Sequence, residues 1–236
     1  MKSLREIFYS QSKFADKWDP YFDVYETWLS RFKGAGPRIL EIGIQNGGSA
    51  AMWLEYFGPG TKVLGIDIDS RCLQHATDDI EIVIGDQGSP EFWENFLVTN
   101  SHRFDIVIDD GGHRMQEMIL TFMAVSQLVD AGGIYIIEDT HTAYWSDSSL
   151  FGAPHTDFGL GNPNNVLEFT KDAVDVLNRE HIEPHAGVIP QLDKNLTDLY
   201  KNVKGLHYYN SMIVFEMGLQ APFARCLNSG VKMQDN

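Results

Sequence analysis

The chain has 236 residues, 43% of them apolar, and a formal charge of -15 from 33 acidic and 18 basic side chains. That length supports one large domain with its own core, and that charge argues against a nucleic-acid backbone or an anionic membrane surface as partner. The first residues (MKSLREIF) lack an apolar signal core, no run approaches the roughly 20 apolar residues of a membrane span, and Cys72 and Cys226 form no metal-type spacing, so cytoplasm is the expected compartment.

Residues 1–36 read as a helical cap rich in aromatics (Phe8, Tyr9, Phe14, Trp18, Tyr21, Phe22, Tyr25, Trp28), the second helix starting at Asp19-Pro20. These rings either pack the cap onto a sheet or roof a ligand pocket. The main domain spans 37–218, followed by a tail, 219–236. Its first strand, RILEIGI, runs into Gln45-Asn46-Gly47-Gly48-Ser49 and a helix over 50–56. A second strand, KVLGIDID, ends in acids, with a short helix at 72–76. A third, IEIVIG, stops at Asp86-Gln87 before a helix capped by Ser89-Pro90-Glu91. FDIVIDD and IYIIED are fourth and fifth strands flanking a helix over 115–129. Residues 142–165 are rich in Gly, Pro, Ser, Asp and Asn, and a loop that long is expected to be a lid. A helix resumes over 166–179. Residues 181–188 and 206–215 read as two further strands that pair. The alternation of strand and helix predicts a doubly wound sheet.

Two strands end abruptly in charge: Ile106, Val107 and Ile108 run into Asp109 and Asp110, and Tyr135, Ile136 and Ile137 into Glu138 and Asp139. Apolar runs of this kind suit parallel strands covered on both faces. The intervening helix makes them parallel, so both acid pairs leave at the carboxyl edge, where open α/β sheets bind ligands. Clustered carboxylates there repel unless a cation joins them. Asp110, Glu138 and Asp139 therefore form a candidate hard-metal site with His113 beside it. In the first loop, Gly43 and Gly47 let backbone approach a ligand at a helix N-terminus. Gln45 occupies the second glycine position of G-x-G-x-x-G, which disfavours a dinucleotide pyrophosphate. Asp67 fits an acid that takes a ribose diol, and Asp86-Gln87 fits an adenine edge.

Glu41-x-Gly43-x-x-x-Gly47, GID at 65–67, GDQ at 85–87 and FDIVIDD at 104–110 resemble class I S-adenosylmethionine methyltransferases. More narrowly, DDGGH with EDTHTAYW resembles the metal-dependent sugar O-methyltransferases of macrolide and tetracenomycin glycosides, and the cephalosporin-hydroxylase-like group. The resemblance runs over about 13–218. It implies a seven-stranded Rossmann-like sheet whose last strand is antiparallel. It implies S-adenosylmethionine contacts from Glu41, Gly43, Gly47, Ser49, Asp67, Asp86, Gln87 and Asp109, Mg²⁺ held by Asp110, Glu138 and Asp139, and His113 as base. Asp109 is a flanking or cofactor residue. Gly112 stands where the family often has serine. The chain is expected to lack the additional N-terminal domain that some of these enzymes carry, and to self-associate into a homo-oligomer through N-terminal and lid segments.

The chemistry expected is methyl transfer to one hydroxyl of a vicinal diol chelated by the metal, on a sugar of a glycoside or glycan, with no nucleic-acid or membrane partner. A hard cation lowers the hydroxyl pKa and leaves open positions for substrate oxygens. A histidine near pKa 6.5 suits the proton transfer. His141 is either a substrate contact or a turn cap. Tyr144 and Trp145 either line the sugar face or pack the lid. Two alternatives stand beside this reading: a nicotinamide-dependent oxidoreductase, and a non-catalytic cofactor-binding protein.

Overall fold

The computed structural model describes residues 2–146, 157–182 and 192–225. Seven strands form one sheet: β1 (Arg38–Ile42), β2 (Lys62–Asp67), β3 (Ile80–Ile84), β4 (Phe104–Asp109), β5 (Val129–Ile137), β6 (Val203–Tyr209) and β7 (Met212–Met217), in the order β3-β2-β1-β4-β5-β7-β6. The first five are parallel. β7 is antiparallel to both β5 and β6. This is the seven-stranded arrangement with an antiparallel final strand, and the order reverses between β1 and β4. That reversal opens a crevice at the carboxyl edge.

Side chains alternate across each strand, and on the inner strands β1, β4, β5 and β7 both faces are largely buried, which explains their apolar runs. Leu40, Ile42, Val107, Tyr135 and Ile137 face one core, shared with the helices α4 (Pro90–Thr99), α5 (Met115–Val125), α6 (Val166–Leu177) and α7 (Lys194–Tyr200). Ile39, Ile106, Ile108, Ile134 and Ile136 face the other, with α1 (Leu4–Ser10), α2 (Tyr21–Leu29) and α3 (Gly48–Phe57). The N-terminal cap is thus part of the core: Leu4, Tyr25 and Leu29 are fully buried. Ser3 and Glu6 close a reciprocal capping box on α1. α2 starts just after Pro20, as the sequence suggests.

Three sequence expectations change. The apolar run 206–215 is two strands, because Ser211 takes a left-handed φ of 67° and turns β6 back into β7. The helix expected over 115–129 ends at Val125 with a single 3-10 turn after it, and β5 already begins at Val129. The segment at 72–76 lies in a 3-10 helix, Ser70–His75. The expected strand at 181–188 lies outside the described residues from 183 onward, as do 147–156 of the expected lid and 226–236 of the tail. No helix among the described residues is long and apolar enough to cross a membrane.

Candidate metal and cofactor site

A cleft of about 760 Å³ opens at the carboxyl edge over the ends of β1, β2, β4 and β5. Its floor is set by backbone. Gly43 (φ 91°) follows β1, and a Cβ there would meet the carbonyl oxygen of Asp110 at 2.0 Å. The Gly43 N–H donates to Ile66 and the Asp110 N–H to Ile42, locking the two loops together. Asp67 holds the glycine loop in shape: one carboxylate oxygen accepts from the N–H groups of Ile44 and Gln45, both at 2.9 Å, and the other from Asp69. Gly47, left-handed at φ 68°, begins α3, where a Cβ would press on the His75 ring at 2.9 Å. The first turn of α3, with Gly48 and Ser49, faces the cleft and favours an anionic group.

Asp86 and Gln87 also line this cleft. Gln87, however, is engaged at both ends of its amide. It donates to Asp109 at 2.7 Å and accepts from the Gly112 N–H at 2.9 Å. Asp109 is buried behind it, with burial pushing its carboxyl up to about 8, and does not line the cleft. Gln87 and Asp109 therefore brace the DDGGH loop. Gly111 is required there, since a Cβ would meet Gln87 Oε1 at 2.1 Å and Ile42 Cγ2 at 2.8 Å. Glu41 is likewise behind the wall, fully buried and accepting from the Trp53 indole at 3.0 Å, with burial lifting it to about 7.

The acid half of the cleft is built differently. Asp110 follows β4. Glu138 and Asp139 follow β5, whose N–H at Glu138 donates to Asp109 and keeps the two strand ends level. Asp110, His113 and Asp139 each offer a ligand atom, all within 4.8 Å of one another. His113 Nδ1 is 3.5 Å from Asp139 Oδ2. Both His113 (φ 55°) and Asp139 (φ 54°) are left-handed, a conformation costing on the order of 1–2 kcal/mol for a non-glycine residue. The Thr142 hydroxyl lies 2.9 Å from the carbonyl oxygens of both, holding the two strained residues in register.

The partners of the acids come from the N-terminal cap: Tyr21 and Tyr25, which the sequence offers only as cap aromatics that pack or roof the pocket, and Lys17, which it does not single out. Lys17 Nζ lies 2.5 Å from Asp110 Oδ2 and 2.8 Å from Glu138 Oε2, with its side chain 2% exposed. Burial pulls the ammonium toward its neutral form, but Asp110 and Glu138 outweigh it and hold it well above the usual lysine value. Tyr25 OH donates to Glu138 Oε1, and Tyr21 OH to Asp139 Oδ1 at 2.6 Å. Burial and Asp139 push the Tyr21 hydroxyl up, so it remains a donor. Tyr21 and Tyr25 stand four residues apart on one face of α2, a spacing already visible in the sequence, whereas Lys17 precedes the helix and carries no such signal. His141 Nδ1 is 3.8 Å from Asp139 Oδ1 and hydrogen-bonds Ser211 Oγ. The His141 ring packs edge-on against Trp18 at 5.6 Å and Trp145 at 4.4 Å. Trp18 lines the cleft; His141, Trp145 and the exposed Tyr144 sit outside its wall.

A doubly wound sheet in this strand order, with a glycine loop beside carboxyl-edge acids, defines a class I methyltransferase fold. The chain belongs to the rhamnosyl O-methyltransferase/CmcI family, whose model matches residues 35–190. It is 32% identical over 84% of its length to demethylmacrocin O-methyltransferase of Streptomyces fradiae, covering 48% of that protein. It is 29% identical over 86% of its length to 8-demethyl-8-alpha-L-rhamnosyl tetracenomycin-C 2'-O-methyltransferase of Streptomyces olivaceus, covering 52%. MycE methyltransferase from the mycinamycin biosynthetic pathway, solved with Mg, SAH and mycinamycin VI, superposes with a TM-score of 0.72 at 26% identity, over 92% of this chain and 54% of that one. The chain thus spans about half the length of the curated relatives it matches. This family membership displaces the nicotinamide alternative.

Proposed function

We propose that this protein is an O-methyltransferase that moves the methyl of S-adenosylmethionine to one hydroxyl of a vicinal diol on a sugar, with Mg²⁺ held by Asp110, Glu138 and Asp139. The observation that carries it is the pairing of a glycine-loop cleft with Asp110, His113 and Asp139 in ligand range of one another. Asp110 and Asp139 fit the ion as carboxylate donors with partial access to the cleft, while Glu138 lines it with both oxygens taken by Lys17 and Tyr25. When bound, Mg²⁺ supplies Lewis acidity toward substrate oxygens.

The chain's own residues do the rest. Gly43 and the first turn of α3 seat the cofactor, and Asp67 keeps that loop in shape. Ser49 lies at the same turn, and Asp86 faces the adenine end. His113 takes the hydroxyl proton at an imidazole nitrogen as oxygen attacks the methyl in line, and Asp139 stabilises the imidazolium that results. Holding donor and acceptor in line is the larger share, worth about 7–11 kcal/mol for well-aligned reactants. His141, Tyr144 and Trp145 form the acceptor side, where a glycoside or glycan sits, and homo-oligomer assembly belongs to the same reading.

The test is direct. Calorimetry should show S-adenosylhomocysteine binding, and a rhamnosylated acceptor panel should show methylation that stops in excess EDTA. Asp110→Ala is expected to lose turnover and keep cofactor binding. Turnover persisting in EDTA removes the metal from the reading. Binding of both ligands without methylation of any diol favours a non-catalytic cofactor-binding protein.

A further inference from the structure

Every acid of the candidate metal site has a partner on the N-terminal cap, and one of those partners is a full positive charge. Lys17 reaches Asp110 and Glu138 from the irregular segment between α1 and α2. That segment does a second thing. Phe14, Ala15, Asp16 and Trp18 line the cofactor cleft. A Cβ on Gly48 would meet the Phe14 carbonyl oxygen at 2.1 Å and Ala15 Cβ at 2.9 Å, so the segment lies directly on the first turn of α3. A buried ammonium is costly unless its partners are well placed. Here both carboxylates present an oxygen at hydrogen-bond distance, and Tyr25 occupies the other oxygen of Glu138. Against the three acids Asp110, Glu138 and Asp139 the cap sets one cation, Lys17, and two hydroxyl donors, Tyr21 and Tyr25.

We propose that Lys17 is a positioning residue of the cation site: a fixed ammonium that aligns Asp110 and Glu138 and sets one positive charge against the cluster. It stays in place when the ion binds, and through its segment it couples ion occupancy to the wall of the cofactor cleft. This rests on the metal reading above. Two consequences follow. The site prefers a divalent to a trivalent ion more than three bare carboxylates would. Filling it also stiffens residues 13–20, because the ion removes repulsion between the acids to which Lys17 is tied.

The experiment compares the wild type with Lys17→Met and Lys17→Arg, using terbium luminescence sensitised by the cleft aromatics and competition by Mg²⁺. Removing one positive charge a few ångströms from the ion should raise the Tb³⁺-over-Mg²⁺ preference at least roughly tenfold in Lys17→Met, with Lys17→Arg near wild type. An unchanged ratio in a folded Lys17→Met protein, checked by circular dichroism, overturns the proposal. A second measurement uses the wild type alone, in case Lys17→Met fails to fold. Mg²⁺ should slow amide hydrogen exchange over residues 13–20; unchanged or faster exchange means the ion expels Lys17, and overturns it too. A wild type that binds neither ion sinks the metal reading itself, which separates the two failures.

Discussion

The two halves of the cleft solve the problem of polar side chains at a sheet edge in opposite ways. On the cofactor side, Asp67 and Gln87 are satisfied by backbone N–H groups of neighbouring loops: Ile44, Gln45 and Asp69 for Asp67, and Gly112 for Gln87. The charge is dispersed, and Gly43, Gln45 and Gly47 take the left-handed turns of the loop. On the acid side, like charges are concentrated, and the compensating groups arrive from more than 90 residues away, as with Lys17 and Asp110. The first half is a preformed seat. The second is an electrostatic assembly that exists only once the N-terminal cap has docked.

That contrast can be broken by substitution. The largest effect is expected at His113→Ala, which should lower kcat by about 10²–10⁴-fold and leave S-adenosylhomocysteine affinity within experimental error; steady-state kinetics with calorimetry checks both. Asp67→Ala should do the reverse. It removes the charged acceptor of three backbone N–H groups that shape the loop, so a net loss of about 1.5–3 kcal/mol, or roughly 10–100-fold in cofactor affinity, is expected while Mg²⁺ binding holds. If Asp67→Ala weakens the metal equally, the halves are one unit and the comparison fails. Tyr25→Phe leaves a Glu138 oxygen unpartnered in the core and should cost about 1–3 kcal/mol by urea unfolding, with weakened Mg²⁺ binding as its signature.

The smallest effect sharpens the cofactor side. Burial lifts Glu41 from 4.5 to about 7, so the folded chain keeps a proton that the unfolded chain has released between those values. Its contribution to stability is full below the unfolded value and is lost as pH rises through 7. In EDTA, the urea midpoint should therefore decline between pH 5 and pH 8, and Glu41→Gln should flatten that decline. An identical slope in both proteins would mean the carboxyl is ionised in the folded state.

What could be read from sequence follows the same division. The parallel strands, the strand-to-acid transitions and the glycine loop are local patterns, and each appears where periodicity places it: FDIVID is β4, KVLGID is β2, and the acids share one edge. Asp109 and Glu41 were harder, because a carboxylate at a strand end reads the same whether it faces ligand or core. Only the alternation of faces, with Trp53 behind Glu41 and Gln87 beside Asp109, tells them apart. The turn at Ser211 was hidden inside an apolar run, since a single left-handed serine leaves no compositional mark. Lys17 was the largest omission. Its role depends on a contact that closes across most of the chain, and an isolated lysine among aromatics gives no local hint of the carboxylates it meets.

The contact between Gly43 and the Asp110 carbonyl reaches beyond local packing. Where a methyl group would not fit between two loops, neither loop can drift toward the other, and the Asp110 N–H tied to Ile42 keeps them from drifting apart. In the proposed reaction, one loop seats the methyl donor and the other anchors the acceptor. The span the methyl would cross is then gauged by main-chain atoms, the least compressible ruler a protein has, and side chains would be left free to vary what is methylated without altering how far it stands from the sulfur.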